Sequence, residues 1–91
     1  MARNAHEFHP VTVLYDGKLS ASIYRRIDQH GPLYSVEFNR SGYCQGIFVT
    51  SKFFREEHLL SLKELAQRAY ACVADFKNRD AEYWVTNPTR N

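Results

Sequence analysis

Val11-Thr12-Val13-Leu14-Tyr15-Asp16-Gly17-Lys18-Leu19-Ser20-Ala21-Ser22-Ile23-Tyr24 reads as two strands joined by a tight turn. β-Branched and aromatic side chains dominate its first five positions. Asp16-Gly17 is a hairpin signal, because both central positions of such a turn favour positive φ. After the turn, Leu19, Ala21 and Ile23 alternate with Ser20, Ser22 and Tyr24, the period of two of a strand with one buried face. A turn centred on Asp16-Gly17 pairs Leu14 with Leu19 and sends Val13, Tyr15 and Tyr24 to the opposite face. One of these faces can take a covering helix, which leaves the other for a ligand or a second subunit.

Arg25-Arg26 continues the second strand, and Asp28 to Pro32 marks a loop. Leu33 to Arg40 forms a third strand, with Tyr34, Val36 and Phe38 on one face and Ser35, Glu37 and Asn39 on the other. Ser41 to Gly46 reads as a turn with two glycines, and Ile47 to Phe53 as a fourth strand. The period then changes. From about Arg55 to Lys77, Leu59, Leu62, Leu65, Ala66, Ala69, Cys72, Val73 and Phe76 recur at three- and four-residue intervals, the apolar stripe of an amphipathic helix. Glu56 and Glu57 at its start and Lys77 and Arg79 near its end complement the helix dipole. The expected fold is α+β, a four-stranded antiparallel meander sheet packed against one long C-terminal helix. Residues 11–78 form this ββββα domain, between a flexible N-terminal tail (residues 1–10) and a C-terminal tail (residues 79–91) that carries Tyr83 and Trp84.

With 91 residues the chain supports one domain and one modest core, and a sheet left half uncovered at this size favours a homodimer. Hydrophobic residues at 44% and charged residues at 24% fit an ordinary globular protein rather than a disordered one. No apolar run approaches the length of a membrane span or has the form of a signal peptide, so the expected location is the cytoplasm. Cys44 and Cys72 lack metal-ligand spacing and are too few for a disulfide framework. Net charge is only +2, but residues 1–55 hold seven Lys or Arg against four Asp or Glu, whereas residues 56–91 hold five against six. The sheet half is therefore the basic half.

No catalytic constellation emerges. Of His6, His9, His30 and His58, only the first two are close in sequence, and both lie in the expected tail. There is no Gly-rich phosphate loop, no Cys-x-x-Cys and no nucleophile motif, and Glu56-Glu57 reads as helix-start charge. The reading is a non-enzyme with no cofactor and no metal. The more suggestive set is polar and aromatic: Lys18, Tyr24 and Arg26 alternate along the second strand, and Phe48, Thr50 and Lys52 along the fourth. Cations neutralise phosphates, and flat rings stack on unpaired bases, which nominates these six as a single-stranded DNA- or RNA-binding set. Such residues also serve simply as a soluble sheet face with good β-propensity. A protein-interaction module using that face, or the Tyr83-Trp84 region, is the alternative.

The order of hairpin, two further strands and a long amphipathic helix resembles the single-stranded DNA-binding domains of the positive-cofactor-four and Whirly type. That resemblance implies a curved antiparallel sheet, dimerisation through the helices, and binding of single strands along the sheet without sequence preference. A second likeness is to a group of short bacterial proteins with no settled activity. Ala21-Ser22-Ile23-Tyr24, Gly31-Pro32-Leu33-Tyr34-Ser35-Val36-Glu37-Phe38-Asn39-Arg40 and Leu59-Leu60-Ser61-Leu62-Lys63-Glu64-Leu65-Ala66 carry it, over roughly residues 19–73.

Overall fold

The computed structural model describes the backbone of residues 9–86 and the side chains of residues 9–82. Four antiparallel strands lie in meander order, β1 (Thr12–Asp16), β2 (Leu19–Asp28), β3 (Gly31–Cys44) and β4 (Ile47–Ser51). A short 3-10 turn, Glu56–His58, leads into one helix, α1 (Leu59–Thr86). The expected α+β meander with a single long helix is the observed fold. The tail expected at the N terminus falls almost wholly outside the described residues, as do residues 87–91.

Several boundaries differ from those expected: the loop expected over Asp28 to Pro32 shrinks to Gln29-His30, the fourth strand ends at Ser51 rather than Phe53, and a 3-10 turn precedes the helix. Three further differences each have a local reason. The first turn is centred on Gly17-Lys18 rather than Asp16-Gly17. Gly17 alone takes a positive φ, 61°, the pattern of a type II′ turn, and Asp16 pairs with Leu19. Leu14 therefore faces Ala21 rather than Leu19. The shift is an even number of residues, so every side chain stays on its expected face. Next, β3 runs through Gly42 and Tyr43, and the turn to β4 is Gln45-Gly46, whose φ values of 52° and 82° suit a type I′ hairpin. Finally, α1 continues past Lys77 to Thr86, because nothing between Asn78 and Thr86 breaks a helix. The segment that holds Tyr83 and Trp84 is thus helical rather than a separate tail, while those two side chains lie outside the described ones.

Leu19, Ala21 and Ile23 from β2 meet Leu65 and Ala69 from α1, and these five are the buried apolar core. Leu14, Val36, Phe38, Phe54, Leu62, Cys72 and Val73 pack around them. Every core residue of β2 is odd-numbered, so α1 covers that face and the even-numbered residues point away from it. The distal part of α1 is fastened to the sheet by polar contacts. Asp80 Oδ2 accepts from the Tyr34 hydroxyl at 2.7 Å, Asp80 Oδ1 accepts from Arg25 Nη2 at 3.0 Å, and Arg25 Nε donates to the Tyr34 oxygen at 3.0 Å. Phe76 stacks on the Tyr34 ring with centroids 5.7 Å apart. No helix among the described residues is long and apolar enough to cross a membrane.

Candidate nucleic-acid interface

The register fixes what the uncovered face of the sheet presents. Opposite α1, Val13 and Tyr15 of β1 pair with Ser22 and Ser20 of β2, which pair in turn with Glu37 and Asn39 of β3. Tyr24 pairs with Ser35 and Arg26 with Leu33. On the far side of β3, Ser41 pairs with Thr50 and Tyr43 with Phe48. Tyr24, Arg26, Phe48 and Thr50 therefore share one face, and Lys52, just past β4, reaches the same face. Lys18 sits in the β1–β2 turn, exposed, rather than within β2.

Five of the six residues share a face without forming one cluster, and Lys18 stands apart in the turn. Ser35 and Tyr43, the β3 partners of Tyr24 and Phe48, are roughly 26 Å apart along the strand at ~3.3 Å per residue. One group gathers around Glu37. Lys52 Nζ donates to Glu37 Oε2 at 2.6 Å and to Asn39 Oδ1 at 2.9 Å, while the Tyr24 hydroxyl donates to Glu37 Oε1 at 3.4 Å. Arg26 stands two positions further along β2. The other group lies where the β3–β4 hairpin projects beyond the β1–β2 turn. There the Tyr43 and Phe48 rings meet edge to face, centroids 5.5 Å apart, with Thr50 alongside on β4.

The electrostatics follow from these contacts. The Lys52 ammonium holds the Glu37 carboxyl below the usual carboxylate range, with burial opposing and Asn39 and Tyr24 assisting. Lys52 is thereby engaged in an exposed ion pair of small net stabilising value. Among the described residues, Lys18 and Arg26 make no ion pair and are the cations this side offers to a phosphate. Its rings are more open than its cations are numerous: Tyr43 is 75% exposed, Tyr15 65% and Phe48 58%. Tyr43 is absent from the sequence-derived set because Gly42 made its surroundings read as a turn. Tyr15 shows in the alternation of β1 but carries no charge pattern to draw attention to it.

The described residues contain no group of three or more His, Cys, Asp or Glu placed to hold a metal ion. No protein-family model, curated protein or solved structure matches this chain.

Proposed function

We propose that this chain is a small, non-catalytic, single-stranded nucleic-acid-binding protein that holds its ligand on the sheet face opposite α1. The observation that carries the reading is the line of open rings on that face. Tyr15, Tyr43 and Phe48 project from three different strands, half-buried Tyr24 adds a fourth ring, Lys18 stands in the turn before β2, and Arg26 lies near its far end. Unpaired bases stack on such rings, each stack contributing about 1 to 3 kcal/mol irrespective of base identity. The cations hold the backbone by charge. With Lys18 and Arg26 as the two unpaired cations available to this face among the described residues, the logarithmic salt dependence is shallow, about −1.4 at ~0.7 per phosphate contact on a single strand. Stacking rather than charge therefore dominates affinity. Fluorescence anisotropy with a labelled oligonucleotide tests this directly: binding should weaken modestly with salt and drop when Arg26 is replaced by alanine. Absence of binding at micromolar protein and low salt ends the proposal.

A second reading, a protein-interaction module, is favoured by a different surface. On the helix side, Val36 and Phe38 of β3 and Ala66, Tyr70 and Val73 of α1 line an apolar groove of about 310 Å³. Such a groove suits the apolar face of a helix from another polypeptide. A stoichiometric partner that survives nuclease treatment favours this reading over the first.

A further inference from the structure

The two edges of the sheet are finished differently. On the β1 edge, Arg68 Nη1 from α1 donates to the Tyr15 carbonyl at 3.0 Å, and the strand ends on the charged Asp16. On the β4 edge, no described side chain bonds to the backbone of Ile47–Thr50. The strand Ile47-Phe48-Val49-Thr50-Ser51 contains no charge, no proline and no positive φ that would mark a glycine-type bulge. A row of unpaired N–H and C=O groups without these protections is a template for another strand. The side chains agree, since Ile47 is 67% exposed, Phe48 58% and Val49 40%, apolar on both faces of the sheet.

We propose that β4 is the pairing edge of a homodimer, in which the β4 strands of two copies run antiparallel and join two four-stranded sheets into one of eight strands. Antiparallel pairing of a strand with itself is what a two-fold axis produces, and it places like residues near like. That is unfavourable for a charged strand and harmless for this one. The nearest cation, Lys52, is already paired with Glu37. β-Branched and aromatic side chains also make favourable cross-strand neighbours. Among the described residues only five side chains are buried, a small core that a partner would extend. The joint lies in the plane of the sheet, so it leaves the ringed face open and brings both copies' Phe48 towards its centre. It stands whether or not that face holds nucleic acid.

The two-residue turn makes Cys44 and Ile47 a closing pair, so the backbone groups of Phe48 and Thr50 point outward by alternation. Sedimentation equilibrium of the full chain, together with amide hydrogen exchange, tests the pairing. The chain should sediment at twice its mass, with the Phe48 and Thr50 amides protected. Thr50→Pro removes an outward N–H and spares the inward ladder, so it should convert the dimer to a monomer with an unchanged far-ultraviolet circular dichroism spectrum. If Thr50→Pro does not fold, exchange in the unmodified chain decides. A monomer at all concentrations, as expected if the edge takes a strand of some other protein, overturns the proposal. So does a dimer whose Phe48 and Thr50 amides exchange as fast as those of Gln45 and Gly46 in the turn.

Discussion

The Tyr34 hydroxyl donates to Asp80 across 2.7 Å, joining β3 to the distal part of α1 over a separation of 46 positions. Arg25 completes a closed triangle with both, and Phe76 covers the Tyr34 ring. The buried core residues of α1, Leu65 and Ala69, lie in its first half, and among the described residues this polar clasp adds to the Val73 and Phe76 packing that holds the second half to the sheet. Asp80→Ala should therefore lower the unfolding free energy by about 1.5 to 3 kcal/mol, the range for hydrogen bonds to a charged group. Urea denaturation measures it, and amide exchange should quicken first beyond Phe76.

The same clasp sets the response to pH. The Tyr34 hydroxyl, followed by Arg25, holds the Asp80 carboxyl below its ordinary range, and Lys52 does the same for Glu37. A carboxyl with a depressed pKa in the folded state binds fewer protons there than in the unfolded chain. Its stabilising contribution is complete above the unfolded value of about 4 and fades as pH falls through the lower folded value. At the alkaline end, burial and then the Asp80 contact raise the Tyr34 hydroxyl. That contribution is complete below about pH 10 and fades as pH rises through the raised folded value. Thermal unfolding of Asp80→Asn against pH should show a shallower acid limb than the unmodified chain.

Phe48 and Tyr43 are exposed and lie far from the core, so truncating the Tyr43 ring should separate binding from stability. Phe48→Ala and Tyr43→Ala should each weaken oligonucleotide affinity by about 1 to 3 kcal/mol. For Tyr43→Ala the unfolding free energy should move by only about 0.5 kcal/mol, as for surface substitutions in general, whereas Phe48→Ala also removes a ring near the β4 joint. Paired anisotropy and urea measurements check both numbers.

Glu37 is an acid on the ringed face, and it occupies Lys52. Glu37→Gln removes the negative charge and frees the ammonium to meet a phosphate. Affinity for a single strand should rise, and the logarithmic salt slope should steepen by about 0.7. A purely structural ion pair with no ligand nearby would leave both quantities unchanged.

The period of two in Leu19, Ala21 and Ile23 and the helical stripe through Leu65 and Ala69 were legible because burial imposes them directly. Register was legible only in parity: Gly17 alone, rather than two residues, takes the left-handed turn conformation, and the resulting shift is even. The second hairpin hid itself, since Gln45 adopts φ 52° although glutamine has little preference for that region, while Gly42 lies within β3 and imitates a turn. That is why Tyr43 was missed. The helix end was misplaced because Lys77 and Arg79 look like terminal cations, whereas Arg79 in fact bonds Asp75 one turn back. For the site, alternation assigned Tyr24, Arg26, Phe48 and Thr50 to one class of surface. It could not report that Lys52 would meet Glu37, because that contact depends on how β4 aligns with β3.

Backbone chemical-shift mapping with an unlabelled single-stranded oligonucleotide tests the binding face most directly. Perturbations should follow Tyr15, Tyr24, Arg26, Tyr43 and Phe48 and spare the solvent side of α1 around Glu64, Gln67 and Ala71. Perturbations confined to α1, or none at all at saturating oligonucleotide, would contradict the account.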